Sequence, residues 1–491
     1  MGLSLTELLV EYLRSPLGLD EKAPRFSWQL SSDKKDTLQT AVEIRVREAK
    51  TEEEVWDSGL LSTDVSTGIT YEGKALKPCT AYVVQVEVTD NYGRKAVAET
   101  VFETGFLKKD KSVWEGADWI GAPDFHVAAN ARGVFVLEST FRMKEGSKRA
   151  GVVFGANDFR LLDHNQNEYG LEGENYIRYE INRAGETPVL DIYRVGYAKD
   201  DKKDVPFATV ELDKNVNFDE FHCLKIVVDG DKAFTYLDEK PVDVPETAMG
   251  PMKISGRVLN PRGHNDVLTY PRLNEIGFFA GEGDTAYFKD LTVKNLRTPG
   301  RTFVEETPEK VASIFAELPK EEGCFAVSGT QITKDPSRGA IPMLRSNIPV
   351  RKDAALQRAR LYVTARGIYD VHVNGARITE NLLAPGLTQY DRRMNYQAYD
   401  LTGILKPGNN GIGVALGSGW WCDAQTFVVK NYNYFGDKEA LLAKIVLEFA
   451  DGDREVYTTN PETWKYFGDG PYRYSGFFLG EQYDARKKAV Y

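Results

Sequence analysis

The sequence predicts an all-β protein built of three consecutive antiparallel β-sandwich units. Short segments in which apolar and polar residues alternate recur along most of the chain, and turn-forming residues bound each of them. The sequence shows no series of long amphipathic helical patterns. Its 491 residues are too many for one core, and at roughly 150 residues per domain they suggest about three domains.

The first unit is predicted to span residues 1–108. Residues 42–47 and 82–90 alternate as half-buried strands do, and the turn-forming residues 90–93 follow directly. The opening segment 5–13 is ambiguous, because its leucines and Tyr12 also fit a helical spacing. Charged residues 108–112 indicate a surface linker.

The second unit is predicted to span residues 115–300. Strand patterns recur at 135–143, 150–155, 221–238 and 275–293. Within the third of these segments, Asp229-Gly230 is a typical hairpin turn. Residues 298–300 indicate the end of this unit, and residues 314–322 are interpreted as a link to the next.

The third unit is predicted to span residues 301–491. Residues 361–365 and 369–373 alternate, which predicts strands of an antiparallel sandwich. Asn374-Gly375 follows, and its residue types suit the positive φ angles of a tight hairpin turn. Residues 441–449 predict another long strand, which turns at Asp451-Gly452.

The order of these landmarks resembles that of bacterial α-L-rhamnosidases (glycoside hydrolase family 78-like). In the third unit the landmarks are the strand into Val373-Asn374-Gly375, the Pro385-Gly386 loop ending in Tyr390, and residues 399–402, 406–410 and 419–421. Residues 11–20, 24–30, 39–41, 55–59 and 118–121 resemble the opening part of the same enzymes. Residues 480–486 are similar to the segment that leads into the catalytic barrel of the family. Several ordered landmarks make a more specific match than any single motif would.

The resemblance implies folds for the first and third units, and the strand order of the second unit suggests a separate likeness. The first is expected to be fibronectin III-like, and residues 5–13 are interpreted as a strand on this ground. The second resembles a concanavalin-like jelly roll, a lectin-like insert. The third is expected to be the N-terminal carbohydrate-recognition sandwich of the rhamnosidases.

The resemblance also implies an activity. The family hydrolyses terminal α-L-rhamnose from glycosides, and its catalytic carboxylates lie on a helical (α/α) barrel. Glycoside hydrolysis needs two placed carboxyl groups, and no helical patterns here predict such a barrel. We therefore assign no catalytic residue and expect this chain alone to be inactive, as a truncated accessory half.

Composition excludes some classes of function. With 62 basic and 73 acidic residues the net charge is -11, which disfavours nucleic-acid binding. The four cysteines are far apart without a CxxC pair, which indicates free thiols and neither a zinc site nor a disulfide framework. The first residues lack a signal-peptide pattern and no apolar run predicts a membrane span. We expect a cytoplasmic protein without a membrane partner, or a periplasmic one if a leader preceded this sequence.

The candidate carbohydrate-binding residues lie in the third unit. Sugars need flat apolar faces and fixed hydrogen-bonding groups, and Asn374, Tyr390, Trp420, Trp421 and Asp423 could supply them. Adjacent tryptophans on a strand would point to opposite faces, so that at least one would be core. Packing, or an interface with a missing barrel, is the alternative for the tryptophans, and turn chemistry is the alternative for Asn374.

Calcium is a further expectation, although no cofactor is expected to be required. In some relatives the third unit binds rhamnose with a calcium ion, which by resemblance would involve Asn374. In the second unit, Asp163, Asn165, Asn167 and Glu174 have the oxygen-ligand spacing of an EF-hand loop. Glu168 occupies the position that such a loop reserves for glycine, so an ordinary polar loop is the alternative.

Three hypotheses follow. The chain is the accessory part of an α-L-rhamnosidase that holds a rhamnose-containing glycan or glycoside and supports a catalytic barrel, which a separate chain could supply. Alternatively, it is a stand-alone, non-enzymatic carbohydrate-binding protein. The third hypothesis is a scaffold without a ligand.

Overall fold

The first sandwich consists of strands whose alternate side chains point into one core. The computed structural model describes residues 2–123, 134–158, 161, 173–197, 201–229, 232–244, 246–249, 252–255, 273–297, 302–333, 340–423, 434–436, 438–477 and 480–490. The strands of the first unit are β1 (Ser4–Val10), β2 (Arg25–Ser31), β3 (Gln39–Glu48), β4 (Glu54–Asp57), β5 (Ile69–Thr70), β6 (Ala81–Asp90) and β7 (Lys95–Glu103). One sheet has the order β1-β2-β5 and the other the order β4-β3-β6-β7. Leu5 of β1 pairs with Leu30 of β2, which confirms a strand at the ambiguous opening segment.

The second sandwich has a larger core between two broad antiparallel sheets. Its strands are β9 (Val134–Met143), β10 (Arg149–Ala156), β11 (Tyr176–Asn182), β12 (Val189–Val195), β13 (Ala208–Glu211), β14 (His222–Asp229), β15 (Lys232–Leu237), β16 (Lys240–Val242), β17 (Glu246–Met249), β18 (Met252–Ser255), β19 (Glu275–Ala280), β20 (Ala286–Phe288), β21 (Leu291–Asn295), β22 (Thr302–Glu306), β23 (Lys320–Glu321), β24 (Cys324–Val327) and β25 (Thr330–Ile332). One sheet has the order β13-β12-β11-β10-β19-β25 and the other the order β16-β15-β14-β9-β20-β24-β23. Strand β21 pairs with β9 and β22, and β17 pairs with β18. Phe154, Phe278 and Phe288 are fully buried between the two main sheets.

The second unit continues past residue 300, where the sequence pattern predicted its end. Strands β22, β24 and β25 pair with β21, β20 and β19 respectively. Phe315, within the predicted link, is 5% exposed and packs against Phe278 with ring centroids 4.7 Å apart. The predicted boundary therefore falls between two paired strands, β21 and β22, of one sandwich.

The third sandwich contains the remaining long strands. They are β26 (Met343–Val350), β27 (Leu356–Arg366), β28 (Ile368–Val373), β29 (Ala376–Arg377), β30 (Gln397–Asp400), β31 (Gly408–Gly417), β32 (Ala440–Phe449), β33 (Arg454–Thr458) and β34 (Lys465–Phe467). One sheet has the order β29-β28-β31-β26-β34 and the other the order β30-β27-β32-β33. A C-terminal hairpin of β35 (Tyr472–Gly476) and β36 (Gly480–Tyr483) follows, and then a 3-10 helix, Ala485–Val490. The described chain is thus almost entirely β-strand and loop, which confirms the predicted fold class.

Strands β27 and β28 face each other across the core of the third sandwich. They lie in different sheets, and the chain crosses between them at Gly367, whose φ is +110°. A Cβ atom at this position would lie 2.3 Å from the carbonyl oxygen of Gly417, so glycine is required. The predicted turn at Asn374-Gly375 is confirmed, and it joins β28 to the short strand β29.

The third sandwich begins before the second one. Strand β8 (Ile120–Gly121) pairs with β32, where Ile120 lies opposite Leu441. A 3-10 helix, Lys111–Trp114, precedes it, and the Lys444 ammonium donates to the carbonyl oxygen of Val113 at 2.5 Å. The second unit is therefore inserted into the chain of the third.

A buried ion cluster joins the first and third units. Glu103, at the end of β7, has a side chain that is 2% exposed and accepts hydrogen bonds from Arg358 and Arg360 of β27. Arg358 also contacts Glu448 at 3.1 Å, and Arg360 contacts Asp400 at 2.6 Å. The cluster thus satisfies both buried guanidinium groups with carboxylates from two units.

An aromatic cluster extends the same interface. The Phe106 and Tyr396 rings stack with centroids 4.5 Å apart, and the Tyr396 hydroxyl accepts a hydrogen bond from the Phe106 backbone N–H at 2.8 Å. Tyr362 packs against Phe106 at 5.0 Å. Polar and apolar contacts therefore both hold the first and third sandwiches together.

Candidate functional site

Trp420 and Trp421 lie on a short helix, α1 (Gly419–Cys422), and not on a strand. The segment Gly-Trp-Trp is too short to show helical periodicity, so the strand assignment was wrong. On a helix, successive side chains diverge by about 100°, and the two indole rings therefore have different neighbours. Both tryptophans are half-buried.

Each indole ring belongs to a separate aromatic group. Trp420 packs against Phe477, which follows β35, with ring centroids 4.2 Å apart. Trp421 lies 5.6 Å from Tyr390 and stacks with Phe435 at 6.3 Å. We call these five side chains the aromatic platform. The Tyr390 ring is 7% exposed, whereas the other four rings are partly exposed and offer flat apolar faces on which the C–H faces of a sugar can stack.

A guanidinium group lies behind the platform. The Arg366 guanidinium, at the end of β27, lies 5.3 Å from the Trp421 ring centroid and 4.6 Å from that of Trp119. Cation–π attraction therefore fixes the Trp421 ring from one side. Sequence reasoning missed Arg366, Trp119, Phe435 and Phe477, because they are distant in the chain and carry no motif.

Asp423 and Tyr390 serve the structure of this site more than its surface. Asp423 is 1% exposed and accepts a hydrogen bond from the Tyr474 hydroxyl at 2.8 Å. This bond ties helix α1 to the C-terminal hairpin. The Tyr390 hydroxyl donates to the carbonyl oxygen of Gly386 at 2.9 Å, and burial raises the pKa of Tyr390 to about 12. Tyr390 therefore contributes its ring and not a free hydroxyl.

Asn374 lies away from the other candidates. It follows the end of β28 opposite to the platform, and β28 has six residues at about 3.3 Å each. The Asn374 amide nitrogen donates to Asn410 Oδ1 at 2.8 Å, while its Oδ1 accepts from the Gly411 backbone at 3.0 Å. Its φ of +52° is the one that the turn requires. The structure thus brings four of the five candidate residues together and leaves Asn374 in a structural role.

The polar side chains of Asn374 and Asp423, in the third unit, are both engaged in hydrogen bonds of the fold. The side chain of Asn374 already bonds within the turn, and Asp423 is remote from it and bonded to Tyr474. Of the EF-hand-like set, Asp163, Asn165 and Asn167 lie outside the described residues, while Glu174 pairs with Lys203 at 3.1 Å on the surface. Among the residues that the structure describes, no group of three or more His, Cys, Asp and Glu side chains is placed to hold a metal ion.

A second polar cluster lies on the outer face of the β10–β12 sheet. The Arg178 guanidinium lies 4.0 Å from the Tyr193 ring centroid and 4.2 Å from that of Phe279, and its Nε is 2.7 Å from Glu180. Glu180 has no exposed side-chain surface, and burial raises the pKa of its carboxyl group. Alternation along β11 would predict solvent-facing side chains here, so sequence reasoning missed Glu180. Tyr193 and Phe279, which flank the guanidinium, are themselves 5% and 6% exposed.

None of the described helices is long and apolar enough to cross a membrane.

Two family models match the outer units of the chain. The model described as "Rha78A-like, N-terminal immunoglobulin domain" matches residues 5–108, and that described as "Alpha-L-rhamnosidase N-terminal domain" matches residues 354–490. The first description names an immunoglobulin domain where the sequence suggested a fibronectin-like one. Immunoglobulin and fibronectin III domains are both β-sandwiches, so the predicted β-sandwich fold of the first unit is confirmed.

Curated relatives agree with the models. An α-L-rhamnosidase of Streptomyces avermitilis is 28% identical over 498 aligned residues, which cover 100% of this chain and 43% of the relative. An α-L-rhamnosidase of Alteromonas sp. is 31% identical over 159 residues, or 32% of this chain and 17% of the relative. The chain therefore spans less than half the length of these relatives.

Solved structures show the same fold. The crystal structure of Streptomyces avermitilis α-L-rhamnosidase complexed with L-rhamnose has a TM-score of 0.53 at 24% identity, covering 100% of this chain and 43% of that one. The structure of the Aspergillus terreus enzyme has a TM-score of 0.50 at 16% identity, covering 100% and 32%. The family models, a relative aligned along the whole chain and the shared fold thus agree that this chain is similar to the N-terminal part of α-L-rhamnosidases.

Proposed function

We propose that this chain is the accessory, carbohydrate-recognising part of an α-L-rhamnosidase, without hydrolytic activity of its own. The observation that carries the proposal is the aromatic platform at one end of the third sandwich. Trp420 and Trp421 are only partly buried there, and Tyr434, whose ring centroid lies 4.9 Å from that of Phe435, is 61% exposed. Such rings suit a 6-deoxy sugar such as rhamnose, whose methyl group and C–H faces are apolar.

The proposed lack of hydrolysis rests on the roles of the carboxylates near the aromatic platform. Inverting hydrolysis needs two carboxyl groups held on opposite sides of a glycosidic bond, about 6.5–9.5 Å apart. Near the platform Asp423 is buried and bonded to Tyr474, and Glu439 is 5% exposed and accepts from Ser418 at 2.5 Å. Both carboxylates are engaged in hydrogen bonds within the fold, so we expect neither to act on a sugar at the platform.

Calorimetry with L-rhamnose and with an aryl α-L-rhamnoside tests recognition. We expect saturable binding that Trp421→Ala weakens about tenfold, or about 1.4 kcal/mol, whether calcium is present or chelated. Tyr92→Ala is the matched control, because Tyr92 is an exposed aromatic residue of the first unit. Equal loss in both variants, or no binding by the wild-type chain, would contradict recognition at the platform.

Release of the aryl group tests the second half of the proposal. The wild-type chain should release none above the rate in buffer. Measurable turnover would refute the accessory role, whereas binding without turnover supports it.

A further inference from the structure

A cavity of about 340 Å³ lies between the two sheets of the third sandwich, apart from the aromatic platform. It is placed at one edge of the sandwich. In one sheet β34 pairs with β26 at residues 343–345, so residues 346–350 lie at the edge of that sheet. In the other sheet β33 is the terminal strand. We call this space the edge cavity.

Two small side chains leave the space open. Ser346 stands between the buried Leu344 and Ile348 on the inward face of β26. Across the sandwich, Ala443 lies on the face of β32 that carries the buried Ile445. Protein interiors are close-packed and seldom contain voids larger than a water molecule. A serine and an alanine at these two inward positions therefore keep open a space that larger side chains would fill.

Two aromatic rings with anchored polar atoms line the edge cavity. Trp464 is 8% exposed, and its Nε1 donates to the carbonyl oxygen of Thr458 at 3.2 Å. The Tyr457 hydroxyl lies 3.0 Å from the carbonyl oxygen of Pro349 and 2.8 Å from Glu455 Oε2. These bonds fix both side chains, so their rings offer a preorganised apolar surface to a flat molecule.

The polar groups of the edge cavity are uncharged. Among the described residues that line it, none is acidic or basic, and the polar ones supply hydroxyls and amides. Ser346 Oγ donates to the carbonyl oxygen of Thr463 at 2.9 Å, and Asn460 Oδ1 accepts from the Thr463 N–H at 2.9 Å. Asn347 is exposed at the rim, where its amide can bond a hydroxyl group. A charged ligand would lose hydration here without gaining a counter-charge, so the lining suits a neutral one.

We propose that the edge cavity binds a small neutral phenol of one or two rings, with the rings between the sheets and the hydroxyl at the rim. An apolar cavity of about 150 Å³ holds one benzene ring, and ligand pockets commonly measure roughly 300–1,000 Å³. The inference goes beyond the proposed function and does not depend on it. Along β31, Ile412 of the cavity and Gly417, which precedes the platform helix, lie about 16 Å apart at about 3.3 Å per residue.

The probe is 2-naphthol, a phenol of two fused rings that is neutral at pH 7. Its control is 2-naphthoate, which has the same rings and a negative charge. Calorimetry with the full chain should show saturable binding of 2-naphthol and at least tenfold lower affinity for 2-naphthoate. Equal affinity for the two compounds, or no binding of 2-naphthol, would overturn the proposal.

Two variants fill the edge cavity from opposite sheets. Ala443→Leu and Ser346→Leu should each lower the affinity for 2-naphthol at least tenfold, because the added side chain occupies the space of the rings. Gly413→Ala is the matched control, since Gly413 neighbours Ile412 on β31 and has open space around it. It should keep wild-type affinity. A folded variant of either filled kind that binds 2-naphthol as wild type does would refute the proposal.

Fluorine NMR gives a second measurement that needs no filled variant to fold. In the chain labelled with 5-fluorotryptophan, 2-naphthol should shift the resonance that Trp464→Phe removes, and saturating L-rhamnose should not reverse the shift. An unchanged Trp464 resonance, with or without a shift of the resonance that Trp421→Phe removes, would overturn the proposal. A chain that binds 2-naphthol in this way but not L-rhamnose would refute only the recognition half of the proposed function.

Discussion

Glu103→Ala should loosen the first sandwich from the third. The substitution removes the carboxylate that accepts hydrogen bonds from Arg358 and Arg360, whose side chains are 17% and 11% exposed. Removing one partner of a buried ion pair costs about 3–5 kcal/mol because the remaining charge is uncompensated. Each arginine keeps a second carboxylate, Glu448 or Asp400. The lower limit, about 3 kcal/mol, is therefore the expected loss.

The loss converts to a shift in melting temperature. At about 2–4 °C per kcal/mol for folded bodies of 150–250 residues, the shift is about 6–12 °C. Differential scanning calorimetry should show it in the transition of the two outer sandwiches, and proteolysis within residues 105–121 should accelerate.

Glu99→Ala is the matched control, because Glu99 lies on the same strand and its side chain is 45% exposed. An exposed ion pair contributes about 0–1 kcal/mol, so its shift should be small. Equal shifts for the two variants would refute the idea that the buried cluster joins the units.

Three further changes test local features. Gly476→Ala would place a Cβ atom 1.8 Å from Asp423 Oδ2, so the C-terminal hairpin must move. Proteolysis of the C-terminal residues should therefore accelerate. Gly413→Ala is the control and should have no effect, because there is open space around Gly413. Asn374→Ala removes the hydrogen bond to Asn410 and places alanine at a φ of +52°, so the free energy of unfolding in urea should fall by about 1–3 kcal/mol. The affinity for L-rhamnose should not change. Asn409→Ala, at an exposed neighbour, is the control and should leave stability unchanged. The hydrogen bond from Arg454 lowers the pKa of Glu115. The stabilisation by Glu115 is therefore present above the unfolded pKa of about 4.3 and is lost as pH falls through the folded pKa. Between about pH 5 and pH 3 the melting temperature of wild type should fall more steeply than that of Glu115→Gln, and parallel curves would contradict this.

Local patterns predicted the strands well because the alternation of apolar and polar residues within a strand matches which of its side chains are buried. In β6 the even-numbered residues from Tyr82 to Val88 are each 0–1% exposed, as their alternation requires. The Asn374-Gly375 turn was equally local. Helix α1 escaped prediction because four residues cannot show a helical period.

Pairing between distant segments was beyond sequence reasoning. Residues 120–121 add a strand to a partner at 440–441, and the second unit separates the two. An acidic residue at the end of an alternating strand, such as Glu103, predicts a solvated side chain. Glu103 is instead buried against Arg358, which lies 255 positions later in the sequence. Sequence reasoning missed the contact between Arg366 and Trp421 for the same reason, because the two residues are far apart in the chain.

The insertion explains why the two family models match separate ends of the chain. They match residues 5–108 and 354–490, and between them lies the second sandwich. The two matched units share the Glu103 cluster and the Phe106 stack, whereas the second unit enters after β8 and leaves before β26. The outer sandwiches therefore form one body that fixes the aromatic platform, and the second sandwich is an addition carried by that body.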